Sequence, residues 1–426
     1  MKTRNIVLAA LLIGAMVSRA HIVRADDGPP IQITWLASTG QSPHAAESPV
    51  KQWFQSKVDA WLKKNPNVRL EISYQTNDIN GAMTHLQQQL DAGRAPDFAS
   101  LDSFFLSRFY AKLQPLDTYY PASDIKDFVS FANAGMHDAD GTLKALWVNT
   151  DVRALFYRKD LVKTPPKTWD DLLALAPGLE KQKITPYVFP GGRGEASVME
   201  HLGMFWAMGG KLVDDKGNAA FGEGANRDDW IKILTFMKAS VDSGASPQRV
   251  ASYGSEADMN PELVRGNVAM FLGGSWQPGQ LHGLGDKHEW GVAAIPMPDA
   301  ATAASTAAGG WTFGLFTADP VKQKLIVELI NQMAASPEGM SGLVQALGNL
   351  PTRVSVAAMD TPYFKTDDNK VFDAMLSDSH ARPGAAIYPT ISTELQVAIA
   401  NVITGQQKPA EAIDAAFKRV QLQAGK

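Results

Sequence analysis

The chain has 426 residues, of which 45% are hydrophobic and 20% are charged. This composition excludes a disordered, collagen-like or low-complexity chain and predicts a globular protein of two or three domains, since a domain has roughly 100–200 residues. Lysine and arginine total 40 against 44 acidic residues, and a formal charge of −4 argues against a nucleic-acid or anionic-membrane partner. The lack of cysteine excludes disulfides, thiol nucleophiles, cysteine-type zinc sites, iron–sulfur clusters and a cysteine-linked lipid anchor.

Residues 1–25 have the pattern of a secretory signal peptide. Lys2 and Arg4 precede the apolar run 6–17, which is too short to cross a bilayer of about 30 Å as a helix. Small residues favour cleavage after Ala25, with cleavage after Ala20 as the alternative. Removal of this segment makes the formal charge −8. We therefore expect an unanchored protein in a Gram-negative periplasm, or, as the alternative, a secreted exoprotein.

The first part of the chain alternates strand patterns with helix patterns. Strands are predicted at 31–36, 68–74 and 98–101, and helices at 49–64 and 82–92. This alternation predicts an α/β lobe with a mainly parallel sheet. Ligands of such sheets bind beyond the carboxyl ends of the strands, which are here at residues 38–39, 77–78 and 102–103.

A second α/β region is predicted after the apolar segment 146–157. It begins with a helix at 169–179 that is capped by Thr168, and a further amphipathic helix is predicted at 227–241. The small and polar stretch 299–308 predicts a connection between lobes. The remaining helices are predicted at 321–335, 390–404 and 409–421.

The motifs of catalysis and metal binding are incomplete in this chain. Residues 273–277 lack the last glycine of a nucleophile elbow, and 191–194 lack the Gly-Lys-Ser/Thr end of a phosphate loop. In 138–141 the glycine comes too early for a calcium loop. One loop could hold a metal, although a solvated loop is the favoured interpretation, and it contains His282, Asp286, His288 and Glu289. We predict neither a cofactor nor a resident metal.

Two tryptophans follow glycine pairs and suggest a different chemistry. Trp276 comes after Gly273 and Gly274, and Trp311 comes after Gly309 and Gly310. Each ring could belong to the core. Glycines also allow close approach of a ligand, and flat rings suit the C–H faces of sugars, while carboxylates and guanidinium groups suit their hydroxyls. The pattern favours carbohydrate recognition without a catalytic group.

Several segments, in this order, resemble those of a known family. They are VDAWLKKNPNVRLEIS (58–73), LDAGRAPDFASLD (90–102), LQPLD (113–117), NTDVRALFYRKDLV (149–162), PKTWDDL (166–172), GNVAMFLGGSW (266–276), GGWTFGL (309–315), LPTR (350–353) and ARPGAAIYP (381–389). Over residues 31–421 the chain resembles the extracellular solute-binding proteins of ATP-driven sugar importers, the group of the maltose- and trehalose/maltose-binding proteins.

This resemblance implies the type II-like periplasmic-binding-protein fold, in which two α/β lobes joined by a hinge close over a ligand cleft. It predicts a first lobe of residues 26–147 and about 297–350, and a second of 148–296 and about 351–426. It further implies a monomer that captures a disaccharide of the trehalose or maltose class and delivers it to the inner-membrane permease of the importer.

The resemblance also assigns candidate ligand-binding residues. Asp102 and Asp151 match hydroxyl acceptors, and Asn149 stands where the trehalose/maltose branch often has tyrosine. The other candidates match stacking rings, a closely packed glycine, arginines and the acid of the first loop, and they are Trp276, Trp311, Trp206, Gly310, Arg382, Arg353 and Glu47.

The residues of the sequence are also compatible with two other functions. A periplasmic glycoside hydrolase would use Asp102 and Asp151 as its two carboxyls, about 5–9.5 Å apart. The same transport role with a polyol, an oligosaccharide or a glycerol-phosphate ligand is the other alternative. The absence of a phosphate loop and of a basic cluster argues mildly against a phosphate ligand.

Overall fold

The computed structural model describes residues 29–46, 48–76, 78–376 and 378–425. The predicted signal peptide and Glu47 lie outside the described residues, and so does Asn77 at one predicted strand end. Within the described part of the chain, no helix combines the length and the apolar character needed to span a membrane.

Strands and helices alternate along the described residues. The strands are β1 (Ile31–Ala37), β2 (Val68–Tyr74), β3 (Phe98–Asp102), β4 (Ala145–Arg158), β5 (Thr185–Val188), β6 (Val268–Gly274), β7 (Trp290–Ala293), β8 (Thr306–Leu315) and β9 (Ser379–Ala381). The helices are α1 (Ser48–Lys64), α2 (Ile79–Asp91), α3 (Ala122–Ile125), α4 (Ser130–Met136), α5 (Trp169–Glu180), α6 (Glu195–Ala207), α7 (Gly224–Asp242), α8 (Asn260–Arg265), α9 (Gln277–Gly283), α10 (Pro320–Ile330), α11 (Pro337–Leu347), α12 (Val354–Ala357), α13 (Asp367–Leu376), α14 (Tyr388–Ile403) and α15 (Pro409–Ala424).

The strands pair in the order β2-β1-β3-β8-β4-β6-β5, with β7 on β4 and β9 on β8. β1 is parallel to β2 and β3, as the alternating pattern predicts. The expectation of a mainly parallel sheet is wrong further along, because β8 is antiparallel to both β3 and β4, and β4 is antiparallel to β6 and β7. β4 and β8 are long strands that run between two halves of the molecule in opposite directions.

β4 is the element that joins the two halves. Its residues 145–152 pair with β8, and its residues 153–158 pair with β6 and β7. We call the half built on β1–β3 the first lobe and the half built on β5–β7 the second lobe. In β8, residues 311–315 pair with β3 of the first lobe, whereas 306–308 pair with β9. Two continuous strands therefore form the hinge.

Apolar side chains form two buried clusters. One lies in the first lobe, where Trp35 stacks on Phe98 with ring centroids 5.4 Å apart. The other fills the second lobe and reaches the α2 side of the first sheet, and it contains the stacked pair Phe205 and Trp230. Burial of such side chains contributes about 1.5–3 kcal/mol each. The second cluster continues across both lobes, whereas the first belongs to one.

Two segments contact the lobe opposite to the one the sequence predicts. Met297 exchanges backbone hydrogen bonds with residues 167 and 169 of the second lobe. Residues 351–357 pack on the first lobe, where Val129 N donates to Thr352 O at 2.8 Å and Val354 N donates to Asp127 O. We propose lobe limits at 29–150 with 309–365, and at 151–308 with 366–425.

The helix caps follow the local sequence. Thr168 and Asp171 form the capping box of α5, so the predicted cap is present. Asp319 accepts from the backbone N–H of Val321 at the start of α10, which has Pro320 in its first turn. The predicted helix 321–335 is instead α10 followed by a π-helical turn over Asn331–Ala335.

His201 on α6 is buried in the second lobe, and we expect it to make the fold sensitive to acid. Its Nδ1 donates to the Ser197 carbonyl at 2.8 Å, while Nε2 has no partner among the described residues. Burial lowers the pKa of His201 to about 4 from an ordinary 6.5. The unfolded chain therefore takes up a proton below pH 6.5, but the folded chain does so only near pH 4.

The stability due to neutral His201 is complete above pH 6.5 and is lost as the pH falls towards 4. At about 1.4 kcal/mol per pKa unit, we expect the free energy of unfolding to fall by about 3 kcal/mol over this window. Denaturant titrations at pH 7 and pH 4.5 should show this loss in the wild type and much less of it in His201→Gln. His85→Gln, a change at an exposed histidine, is the control. Equal pH dependence of His201→Gln and the wild type would contradict the assignment.

Candidate functional site

A cavity of about 510 Å³ lies between the two lobes. The first lobe contributes the loop after β1, the starts of α1 and α2, Trp311 and the end of α11. The second lobe contributes Asp151, Trp276 and one side of α9. The polar and aromatic side chains that line it are Ser38, Thr39, Gln41, Thr76, Asp151, Trp276, Gln280, His282, Trp311, Gln345, Asn349 and Tyr363. Its volume is within the range of about 300–1,000 Å³ that is usual for small-molecule sites.

The first-lobe wall is built at the carboxyl ends of strands, where the alternating pattern predicts it. Thr39 Oγ1 donates to the Gln75 carbonyl at 2.5 Å, and Gln75 Nε2 donates to the Ser100 carbonyl at 2.6 Å. These bonds join the ends of β1, β2 and β3. The predicted loop at 38–39 therefore lines the cavity with a fixed backbone.

Asn149 supports this wall without lining the cavity. Its Nδ2 donates to Gln41 Oε1 at 2.9 Å, and its Oδ1 accepts from Asn349 Nδ2 at 3.3 Å. Gln41 and Asn349 both face the cavity. Hydrogen bonds between buried amides restrict their orientation, so Asn149 positions two lining side chains.

Trp276 and Trp311 face the cavity from opposite lobes. Both indoles are half-buried. A third ring, Tyr363, anchors its hydroxyl by donating to the Asn349 carbonyl at 2.8 Å. The six-membered part of the Trp276 indole rests against Gly274, where an added Cβ would lie 1.9 Å from Cζ3. Gly274 therefore allows close packing of the Trp276 ring.

Gly310 lies at the hinge beside Trp311. Its φ is +140°, and an added Cβ would meet the Asn149 carbonyl oxygen at 2.0 Å. The resemblance predicts a closely packed glycine here, and the packing partner is backbone of β4. Gly310 does not line the cavity.

Asp151 faces the cavity from β4 and belongs to a buried charged cluster. Its carboxylate contacts Arg153 Nη1. Arg153 Nε lies 2.8 Å from Glu200 Oε1, and Nη2 lies 3.7 Å from Glu256 Oε1. Burial alone would lower the pKa of Arg153, but these three carboxylates raise it. Burial raises the pKa of Glu200 well above its usual value, against the effect of Arg153.

Asp102 and Arg382 pair with each other instead of lining this cavity. Arg382 Nη2 donates to Asp102 Oδ1 at 3.2 Å, and Arg382 Nη1 donates to Glu195 Oε1 at 3.0 Å. Burial raises the pKa of Asp102, while Arg382 and the Phe104 N–H oppose the shift. Asp102 belongs to β3 and Glu195 to α6, so Arg382 links the two lobes.

Two other predicted residues lie away from the cavity. The Arg353 guanidinium, 2% exposed, donates to Asp124, Asp127 and the Ala335 carbonyl within the first lobe. These hydrogen bonds join separate segments of the first lobe. Trp206 on α6 packs against His380, with ring centroids 5.4 Å apart.

The loop that could have held a metal is used internally. Asp286 Oδ1 contacts His288 Nδ1 at 2.5 Å, and its Oδ2 accepts from Trp290 Nε1 at 2.6 Å. Across the described residues, no group of three or more histidine, cysteine, aspartate or glutamate side chains has a metal-binding arrangement. Within this loop Asp286 is buried, whereas His282 and Glu289 are exposed.

Sequence reasoning missed Arg153 and the lining residues of α9 and α11. Arg153 could have been found, because residues two apart on a strand share one face and Asp151 was already a candidate. Gln280, Gln345 and Asn349 had no comparable signal. They reach the cavity through tertiary packing, and a helix pattern does not show which polar face a cavity uses.

Comparison with known proteins agrees with this architecture. The sequence profile of the bacterial extracellular solute-binding protein family matches residues 57–371. The maltose-bound MalE3 structure of T. maritima superposes with a TM-score of 0.78 at 20% identity, covering 92% of this chain and 100% of that one. The predicted two-lobed α/β fold class is confirmed by this likeness.

Two curated relatives have different described roles. A maltotriose-binding protein of Pyrococcus abyssi is 23% identical over 332 residues, which are 74% of this chain and 66% of that protein. A probable amino-acid ABC transporter periplasmic-binding protein of Sinorhizobium fredii is 24% identical over 254 residues, 57% of this chain and 54% of that protein. The chain thus spans just under two thirds of the P. abyssi protein and about half of the S. fredii protein. The family match extends over most of the sequence, and the chain belongs to the bacterial extracellular solute-binding proteins.

Proposed function

We propose that this protein is the substrate-binding component of an ATP-driven sugar importer. It captures a neutral sugar of the maltose class between its lobes and delivers it to a membrane permease. The observation that carries this proposal is the cavity between the lobes, where Trp276 and Trp311 face the ligand space from opposite sides beside Asp151. Rings stack on sugar C–H faces, and the carboxylate accepts hydroxyl protons.

The charge of the cavity favours a neutral ligand. Among the lining side chains that the structure describes, three can ionise, namely Asp151, His282 and the phenol of Tyr363. None of the described lining residues is a lysine or an arginine. A phosphorylated ligand or the carboxylate of an amino acid needs a cationic side chain or several N–H donors to offset desolvation. The cavity therefore suits a sugar better than a glycerol phosphate or an amino acid.

The maltose class comes from the relatives. The P. abyssi relative is described as maltotriose-binding, and MalE3 was solved with maltose. A disaccharide such as maltose or trehalose is our first candidate ligand, and a maltooligosaccharide is the second. Polyols belong in the same test, because the cavity offers them the same hydroxyl acceptors.

The positions of Asp102 and Asp151 fit a transport role better than a role in hydrolysis. A glycosidase needs two carboxyls flanking one glycosidic bond. Asp151 lines the cavity, whereas Asp102 does not and is ion-paired with Arg382. With the predicted signal peptide, we place the protein in the periplasm as a monomer that meets its permease there.

A thermal-shift and calorimetric screen tests the function. The panel contains maltose, maltotriose, trehalose, sorbitol, glycerol 3-phosphate and a set of amino acids. A ligand at 100 times its Kd stabilises the folded state by about 2.7 kcal/mol, so a clear rise in Tm is expected with a maltose-class sugar. A response to amino acids alone would overturn the proposal, and sustained release of glucose from maltose would favour the hydrolase.

Trp276→Ala tests the stacking role directly. Truncation of a central aromatic costs about 1–4 kcal/mol, so we expect sugar affinity to fall at least about fivefold. Trp169→Ala is the matched control, because Trp169 is half-buried, stacks on Phe236 at 4.7 Å and does not line the cavity. Titration calorimetry should show a loss for Trp276→Ala alone. Equal affinities of the two variants would remove Trp276 from the site.

A further inference from the structure

Arg153 contacts both the polar and the aromatic part of the second-lobe wall. Its Nη1 contacts the Asp151 carboxylate, and its Cζ lies 4.6 Å from the centroid of the Trp276 ring. Asp151 and Trp276 line the cavity, whereas Arg153 does not. One guanidinium therefore lies directly behind the hydroxyl acceptor and the stacking ring.

Carboxylates from three segments fix this guanidinium. Besides Asp151 of β4, Glu200 of α6 lies 2.8 Å from Nε, and Glu256 lies 3.7 Å from Nη2. The backbone is tied as well, because Arg153 N donates to Thr306 Oγ1 at 2.8 Å. One hydrogen bond from Nη1 to Asp151 and the charge contacts with Glu200 and Glu256 on other edges of the planar group favour a single orientation. With 6% of its surface exposed, Arg153 has little freedom to leave it.

The stack also limits how Trp276 can receive a ligand. The guanidinium lies over the indole, so a ligand cannot stack on the ring at that position. Gly274 packs against the face of the six-membered ring, where an added Cβ would be 1.9 Å from Cζ3 and 2.1 Å from Cη2. The backbone of Gly274 and the buried Arg153 cation together fix the plane of the ring.

We propose that Arg153 is a positioning residue that sets the Trp276 ring and the Asp151 carboxylate in one fixed relation. The proposal rests on the proposed function, since it assumes that a sugar stacks on Trp276. Arg153 itself does not touch the ligand. It makes stacking and hydroxyl binding act as one unit, so the energetic effect of changing Arg153 depends on the presence of Trp276.

A double-mutant cycle tests this dependence. Arg153→Lys keeps the positive charge but loses the planar group and its stack, and such a change is not conservative at a stacked, multiply bonded site. The ligand is the sugar found in the screen. In the protein that retains Trp276, we expect Arg153→Lys to lower sugar affinity about tenfold, but in the Trp276→Ala background the loss should be less than about threefold. In the Trp311→Ala background the full tenfold loss should persist, because Trp311 does not contact Arg153.

Each outcome decides between defined alternatives. Equal effects of Arg153→Lys in all three backgrounds, or wild-type affinity of Arg153→Lys, would overturn the positioning role while leaving the proposed function intact. Wild-type affinity of Trp276→Ala would instead count against the proposed site itself. Arg153→Gln, which keeps a planar amide and a donor towards Asp151, serves as the second variant if Arg153→Lys does not fold. The same dependence on Trp276 is expected of it.

Discussion

Replacing Gly310 by alanine is expected to lower the free energy of unfolding by about 3–5 kcal/mol and to abolish ligand binding. Two effects add. An alanine at φ +140° is strained, and its Cβ would lie 2.0 Å from the Asn149 carbonyl oxygen and 2.5 Å from Trp147 Nε1. The obstacle is backbone of β4, which pairs with β8 at this point and cannot yield without disturbing the hinge.

The neighbouring glycine is a matched control for this prediction. At Gly309 the φ is not positive, and an added Cβ would come no closer than 3.4 Å to Asp151 and Met199. Denaturant titration should therefore show Gly309→Ala near wild type and Gly310→Ala far below it. If the two alanine variants unfold at the same denaturant concentration, the close approach at Gly310 does not have the energetic weight assigned to it.

Local pattern was sufficient for many elements and insufficient for the hinge. The strand predicted at 68–74 coincides with β2, and the cap predicted at Thr168 is present. β4 and β8 could not be assigned in the same way, because a strand buried on both faces has no alternation, and its direction depends on partners far away in sequence. The parallel assumption therefore failed where the chain passes between lobes.

The candidate site residues show the same difference between what a local motif indicates and what distant contacts decide. The motifs that supplied Asp151, Trp276 and Trp311 selected residues that face one cavity. Asp102 and Arg382 came from the same motifs, yet their partner is each other. A sequence identifies a charged residue but not its counter-ion when about 280 positions separate the two, as they do here. The same limit applies to Arg353, since its partners Asp124 and Asp127 lie in another segment.

Closure of the two lobes requires contacts that exist only when both walls face the ligand. A ligand shifts an equilibrium between open and closed states only through its different affinity for them. For the proposed sugar ligand, Trp311 on the first lobe and Trp276 on the second would provide such a difference, because they face the cavity from opposite lobes. The protein adds contacts of its own between the lobes, including Ser107 Oγ to the Gly384 carbonyl at 2.9 Å and the edge-to-face pair of Phe104 and Tyr388.

Arg382→Met is expected to weaken the contact between the two lobes. Arg382 is buried between Asp102 and Glu195, and its Cζ lies 4.5 Å from the centroid of the Phe104 ring. Methionine preserves much of the volume but leaves two buried carboxylates without their cation, and breaking a buried ion pair in this way costs about 3–5 kcal/mol. Opening of the lobes would hydrate Asp102. We therefore expect sugar affinity to fall at least tenfold, with a larger radius of gyration in small-angle scattering.

Two further variants separate this effect from a general loss of charge. Arg227→Met removes an exposed ion pair with Asp414, and since exposed pairs contribute about 0–1 kcal/mol, its affinity and dimensions should match the wild type. Adding Asp102→Asn to Arg382→Met removes one of the stranded charges and should recover part of the affinity, because the amide is less costly to bury than an unpaired carboxylate. Wild-type affinity and dimensions of Arg382→Met would show that the pair does not control closure. No recovery in the double variant would place the cost on Glu195, which also accepts from Tyr388 Oη at 2.8 Å and from Ser392 Oγ.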